Sequence, residues 1–513
     1  PDLGEADTML VSRIGKMRRW LGTKPEAAAV QAIRAEGLRT AELVGVMFFF
    51  TCGGPYGVEK IVQPAGPLVC MLGVTLAPLF WCIPMGLMSA ELSTSIPADG
   101  GNILWVERGL GPAAGFVNGM IRICAGLADL ALYPIISAGY LSIVLPDSIS
   151  EDKWNSYYFG LTVVVFGWVL NVLGVDAVGR AAVVLTGLIL LPYAVFVGFG
   201  IPDVDVEKWS AVPDSGADDL GVDWPLFLSV LLWATAGFDD AGSLAGSVKD
   251  PAKSYINGLI ICVIIVMLVY LLPIAIGVCL LPYEEWSDVG AFKDAAETKG
   301  RWLGIWVAFA AFTGCLGSFN SLLCCDALAL KCMAQLRWVP SAFQYTLPVL
   351  DTPIVGITAV AVGAALLGIF EFDFVIKLET CWLSISILLE FLACIRLRYT
   401  EPSLPRPFVI PLTNFWLIIF FTPPMGLCIF AFGVVASEEP IILAAVAATI
   451  FVAMALYGIR HLCGVKGDPD FYDGLRSPTR SSPFPDDERN PLLEVQRSAA
   501  GLNEAGGGLV YGT

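Results

Sequence analysis

Apolar positions run in long blocks separated by short polar stretches, again and again from about residue 39 to residue 460. Each block has the roughly 20 residues that a helix needs to cross the hydrocarbon core of a bilayer. The pattern predicts twelve spans, at about 39–63, 66–94, 112–145, 156–175, 180–201, 224–246, 254–281, 302–334, 352–370, 372–398, 408–436 and 440–460. The expected class is therefore an all-α membrane protein with about twelve transmembrane helices in one domain over 37–462. The polar residues 1–36 read as a cytoplasmic N-terminal segment with no secretory leader. Residues 463–513, rich in Pro, Ser and Gly and without periodicity, read as a disordered cytoplasmic tail.

Two blocks are interrupted. The first, GLRTAELVGVMFFFTCGGPYGVEKIV, breaks at Gly53-Gly54-Pro55, and the sixth, DWPLFLSVLLWATAGFDDAGSLAG, breaks around Gly237 and Gly242. Acidic residues lie at or just past each break, Glu59 in one and Asp239 with Asp240 in the other. Irregular backbone at membrane depth survives only where it is buried in protein or lines a cavity. A matched pair of broken segments, one per half, points to a transporter's binding site.

Composition agrees. The 513 residues are 56% hydrophobic and 15% charged, against about 25% charged in soluble domains. Mean hydropathy is +0.72. The fourteen cysteines form no CxxC pair and there is one histidine, His461, so small buried thiols are expected rather than a zinc or disulfide framework, and no cofactor. No phosphate loop or catalytic cluster suggests an enzyme, and nothing suggests nucleic acid as a partner.

Charge then orients the spans. With the N-terminus inside, the inner segments hold Arg13 to Arg39, Arg108, Arg180, Lys249, Lys253, Lys331, Arg337, Arg396, Arg398, Arg406, Arg460 and Lys466. The opposite loops hold few cations; that near 202–223 sets Asp203, Asp205, Glu207, Asp214, Asp218, Asp219 and Asp223 against Lys208 alone. The Lys/Arg bias predicts both termini in the cytoplasm. Acidic outer loops either concentrate a cationic substrate or are simply solvated.

Several stretches, in order, resemble one family. GGPYGVEKIVQPAGPL, then PLFWCIPMGLMSAELSTSIPADGGNILWVERGLGP, ADLALYPIISAGYL, LAGSVKDPAKS and LLEFLACIRLRYTEPSLPRPFVIPL are similar to the polyamine and L-type amino acid permeases of the amino acid–polyamine–organocation superfamily. The plant and protozoan polyamine uptake branch is the most similar, through GGPYGVE and GFDDAGSLAG. The resemblance covers roughly 38–460. It implies a 5+5 inverted repeat with broken helices 1 and 6 plus two C-terminal helices, and alternating access around a site between spans 1, 3, 6, 8 and 10. It also implies uptake of polyamines or amino acids, often with a proton. One departure is Ser247, where the family usually has Glu after LAG.

Acidic residues inside spans are costly and usually face the bundle interior. Four stand out: Glu59, Asp129 in the third span, Asp239, and Glu390 in the tenth. A polyamine carries ammonium groups separated by methylenes, so its site needs carboxylates spaced along a cavity with aromatic faces between them. Tyr56, Phe238, Tyr133, Trp233 and Trp382 could supply the faces, and Gly53 and Gly54 the close backbone approach. Each residue also has a structural reading: Glu390 as a paired structural carboxylate, Asp129 as a packing hydrogen bonder, Glu59 as an interfacial group, the aromatics as packing. The coupled proton is assigned to Glu59 or Asp239; the lysine that serves as a proton switch in some relatives is missing from the fifth span. The tail motif ERNPLL, with Glu488, Leu492 and Leu493, has the spacing of an acidic-dileucine sorting signal.

The expected function is import of putrescine- or spermidine-class polyamines, coupled to protons as the partner ion, in the plasma membrane or an endosomal, acidic-compartment membrane. A cationic or neutral amino acid permease of the same fold, and a transport-dead nutrient sensor, are the alternatives.

Overall fold

The computed structural model describes residues 40–96, 100–141, 153–173, 176–211, 221–242, 256–347 and 352–464. The segment before residue 40, the tail beyond 464 with its sorting motif, Ser247 and the LAGSVKDPAKS motif lie outside them.

The described residues form an all-helical bundle. In chain order the helices are α1 (Thr40–Thr51), α2 (Val62–Ala77), α3 (Ile83–Ser95), α4 (Gly101–Leu110), α5 (Pro112–Leu141), α6 (Lys153–Leu173), α7 (Asp176–Gly200), α8 (Trp224–Ala234), α9 (Phe238–Gly242), α10 (Ile256–Leu280), α11 (Ala291–Glu297), α12 (Arg301–Gln335), α13 (Ile354–Leu367), α14 (Phe372–Thr400), α15 (Asn414–Glu438) and α16 (Pro440–Leu462). Eight helical stretches among the described residues are long and apolar enough to cross a membrane. The other four predicted stretches overlap α1, α6, the α8–α9 pair and α13, which do not meet the same standard of length and apolarity. The predicted boundary between the first two spans falls at Gly66, whose φ of 74° and ψ of 157° interrupt α2. Large apolar side chains face outward, Phe415 at 66% exposure, Ile441 at 64% and Phe451 at 73%. On a soluble surface such a belt would aggregate; against lipid tails it costs nothing.

The bundle core is built around α5, which packs on both α12 and α14; α12 in turn packs on α1 of the first broken segment and α14 on α8 of the second. At one end an ion cluster closes it. Glu91 of α3 accepts from Arg398 Nε at 2.7 Å and from the backbone N–H of Ile410 at 2.9 Å, and it is also bonded by Arg398 Nη2. Arg398 in turn donates to the carbonyls of Ile410 and Leu412, and Arg406 to those of Leu397, Glu401 and Leu404. Arg108 of α4 pairs with Glu401 at 2.8 Å. A carboxylate with 2% exposure, ringed this way, ties α3, α14 and the 401–412 loop together. Breaking a buried pair by removing one partner costs about 3–5 kcal/mol. Glu91→Gln should therefore lower the melting temperature of the detergent-solubilised protein and its yield in size-exclusion; wild-type values would make the cluster ornamental.

Ten of the fourteen cysteines are buried, three are half-buried, and Cys463 alone is exposed, just past α16.

Candidate functional site

The first break begins where α1 runs out of helix. The N–H groups of Cys52 and Gly53 both close on the carbonyl of Phe48, at 2.8 and 2.9 Å, and the chain then passes through Gly53 and Gly57 at φ 62° and 84°. A 3-10 turn at Val58–Ile61 leads into α2. A Cβ on Gly53 would fall 2.1 Å from Tyr56 Oη and 2.2 Å from Ser318 Oγ. Glycine there lets Tyr56 fold back and share a hydrogen bond of 2.9 Å with Ser318 of α12.

The second break lies between α8 and α9. The carbonyls left at the end of α8 need partners, and side chains from other helices provide them. Tyr270 of α10 donates to Ala234 O at 2.8 Å, and Cys82 Sγ to Thr235 O at 3.5 Å. Cys82 ends a π-helical turn, Pro78–Cys82, between α2 and α3. Gly237 then turns at φ 84°, and a Cβ on it would sit 2.3 Å from the carbonyl oxygen of Phe50. The two breaks therefore touch backbone to backbone.

Beside this contact is a cavity of about 50 Å³, room for only a few water molecules. Its wall includes Phe50, Thr51 and Cys52 from the first break, Ala236, Gly237 and Asp240 from the second, and side chains of α5, α12 and α14. Along α5 the lining residues are Arg122, Ala125, Gly126, Asp129 and Tyr133, at the three- and four-residue spacing of one face of a helix. Gly126 is needed for room: a Cβ there would lie 2.3 Å from the carboxylate of Asp326 on α12. Glu379 and Leu383 bring α14 to the same wall.

Asp129 accepts from Trp233 Nε1 at 2.7 Å. The indole packs on Tyr133, centroids 6.2 Å apart, and on Phe372 at 6.3 Å, while Tyr133 packs on Tyr56 at 6.4 Å. A file of aromatic faces thus runs from the first break past Asp129 to the start of α14. Lys60 stands at the end of this file, its Nζ 6.0 Å from the centre of the Phe372 ring, 3.0 Å from Asp373 Oδ1 and 2.7 Å from the carbonyl of Ser287.

The predicted residues are distributed as follows. Asp129 lines the cavity, together with Tyr133 and Trp233. Asp239 is 1% exposed and pairs with Arg122, Oδ2 to Nη2 at 3.0 Å; the same Nη2 donates to Asp240 Oδ2 at 2.5 Å. Ser89 Oγ holds the carbonyl of Asp239 at 2.7 Å. Phe238 is fully buried behind the wall. Glu59 is fully buried on a different set of contacts: Oε1 accepts from Tyr140 Oη at 2.8 Å and from the N–H of Gly290 at 2.9 Å, and Oε2 has no partner. Glu390 is also fully buried, with Oε1 accepting from Ser386 at 3.2 Å. It lies eleven residues along α14 from Glu379, about 16 Å by helical rise, which is why it misses the cavity. Trp382 is buried with its indole N–H unpartnered and is not part of the wall.

Arg122, Asp326, Glu379 and Lys60 are additions to the predicted set. Arg122 interacts electrostatically with Asp239, Asp240 and Glu390, and also with Asp129, Asp326 and Glu379. Among the described residues, six buried or half-buried carboxylates thus surround one guanidinium. A bare charge in such a place is expensive, so the excess of carboxylates calls for cations or protons from elsewhere. No group of His, Cys, Asp and Glu able to hold a metal ion occurs among the described residues.

A multi-pass helical membrane protein with two touching helix breaks beside a charged cavity is a transporter architecture, not an enzyme. The chain belongs to the amino acid permease family, whose sequence profile matches residues 46–459. It is 34% identical over 386 residues to a probable polyamine transporter of Arabidopsis thaliana, covering 74% of this chain and 76% of that one. It is 34% identical over 388 residues to the polyamine transporter PUT1 of Oryza sativa subsp. japonica, covering 75% of this chain and 71% of the relative. Against the polyamine transporter RMV1 of Arabidopsis thaliana the identity is 32% over 389 residues, 74% of this chain and 77% of the relative.

Proposed function

We propose that this transporter imports polyamines by alternating access, with a proton as the coupled ion. The observation that carries the reading is the charge of the cavity: Asp129, Asp240, Asp326 and Glu379 line it, and its one cation, Arg122, is already engaged by Asp239 and Asp240. A zwitterionic amino acid would need a free cation or free helix amides for its carboxylate. A polycation needs carboxylates and aromatic faces, and Tyr133 and Trp233 in the cavity wall supply the faces. The names of the plant relatives support the same substrate class.

Twelve spans in a 5+5 inverted arrangement, with two helices after it, form the working topology of residues 37–462, flanked by a cytoplasmic segment at 1–36 and a cytoplasmic tail at 463–513. Its support is the twelve apolar blocks, the paired breaks and the cation bias of one set of loops. The plasma membrane is the proposed location, with an acidic compartment as the variant that ERNPLL would produce. Glu59 is the proposed proton carrier, since its Oε2 is buried without a partner and a proton would sit there. Asp239 is the weaker candidate because Arg122 faces it.

The test is uptake of labelled spermidine into proteoliposomes with and without a pH gradient, competed by putrescine, arginine and leucine. Accumulation that follows the gradient, with competition by putrescine, is the expected result. Competition by leucine or arginine but by no polyamine would replace the reading with an amino acid permease.

A further inference from the structure

We propose that an acyl chain of a bilayer phospholipid occupies a second, apolar cavity, between α2, α8 and α15, and packs α8 from behind the charged cavity. This holds whichever substrate is carried. The apolar cavity measures about 470 Å³, within the roughly 300–1,000 Å³ of small-ligand pockets. Its wall includes Ala77 of α2, Trp81 of the π-helical turn, Phe227 and Leu231 of α8, and Leu427 and Phe430 of α15. Phe227, Leu228, Leu231 and Leu232 share one face of α8, while Trp233 and Ala234 of the same helix line the charged cavity. One helix thus partitions the two cavities, and whatever fills the apolar one supports the wall of the other.

The wall residues are all Gly, Ala, Pro, Leu, Phe or Trp. The one polar side-chain atom among them, Trp81 Nε1, is itself covered. Water finds no partner there, and apolar cavities of this kind stay dry. Left empty, the cavity would cost packing energy that grows with its volume, so apolar matter fills it. The mouth opens on the outward-facing apolar belt, with Leu76, Phe80 and Phe430 exposed on its rim. The cavity is therefore continuous with the surface that meets lipid tails, and those tails are the apolar matter that reaches it. Ala77 and Leu427 lie near the middle of the stretches Val58–Ser95 and Asn414–Glu438, at the depth of chains and not of headgroups. A sterol lying wholly in the cavity would bury its hydroxyl without a partner. A phospholipid brings in only hydrocarbon and leaves its headgroup at the membrane surface.

The experiment is photo-crosslinking in proteoliposomes with a phosphatidylcholine that carries a diazirine at mid-chain, the labelled peptides being mapped by mass spectrometry. Lipid that merely surrounds the bundle reaches exposed side chains such as Leu79 and Phe451, whereas Leu228 and Leu231, 5% and 7% exposed, are reached from within the cavity. The wild-type protein should carry label on α8 as well as at Leu79. Ala77→Phe and Leu427→Trp push a ring into the space from two different helices; each should lose most of the α8 label and keep that at Leu79. Leu72→Trp, an exposed position of α2 outside the wall, adds the same bulk and should keep the α8 label. Label confined to exposed side chains in the wild type, or α8 label unchanged in both filling variants, overturns the proposal. A photoactivatable sterol in a parallel preparation should spare α8; sterol labelling of α8 at or above the phospholipid level assigns the cavity to a sterol and overturns it too.

Discussion

Gly237→Ala should abolish uptake and lower thermal stability, although it adds a single methyl group. Two costs combine. The backbone at φ 84° lies in the left-handed region, which costs an L-residue roughly 1–2 kcal/mol. The new Cβ would also meet the carbonyl oxygen of Phe50 at 2.3 Å. Main chain cannot swing aside as a side-chain tip can, and overpacking of this kind adds about 1–3 kcal/mol. The damage falls where the two breaks touch, so the cavity wall deforms with it. Gly426→Ala is the matched control: it lies in α15 with nothing within 4 Å of its Cβ position, and it should behave as wild type. The comparison is made by fluorescence-detected melting and by uptake in the same vesicles. Full activity in Gly237→Ala would show that the breaks do not need their contact.

Asp129→Asn is the second large effect expected. The substituted amide can still accept the Trp233 N–H through its oxygen, so the hydrogen bond of 2.7 Å and the stacking of the indole survive. Only the charge goes. Loss of one member of a buried charge contact costs about 2–5 kcal/mol, and each 1.4 kcal/mol is about a tenfold change in binding. Polyamine affinity should fall more than tenfold with expression near normal. Glu390→Gln, outside the wall, should weaken polyamine competition much less. Equal losses in both variants would mean that the acidic wall does not define the site.

The all-helical membrane class was readable because it follows from block length, and the breaks because Gly53-Gly54-Pro55 and Gly237 are local signals. The wall of the site was only half readable. Arg122, Asp326 and Glu379 carry the same mark as Asp129, an ionisable group within an apolar block. What the chain does not mark is which turn of each helix faces inward. α12 and α14 are apolar on nearly every side, so their patterns give no preferred face. Glu379 and Glu390, both on α14, are therefore alike in sequence and about three turns apart in space. Along α5 a face was legible in retrospect, since Arg122, Gly126, Asp129 and Tyr133 share it and Gly126 marks where another helix brings a carboxylate close. The partners of Glu59 could not be foreseen, because Tyr140 and Gly290 lie 81 and 231 residues away along the chain.

The thiol distribution has a practical consequence. A bulky, membrane-impermeant maleimide meets one open sulfur, that of Cys463, at the foot of the last helix. The wild-type chain is thus a near single-site substrate for a fluorophore or spin label, with no need to strip out the other thirteen thiols and risk the packing they provide. Replacing Cys463 alone yields a quiet background on which reporter cysteines can be set at chosen positions, and the reaction of Cys463 itself tells which face of the bilayer the end of the bundle occupies.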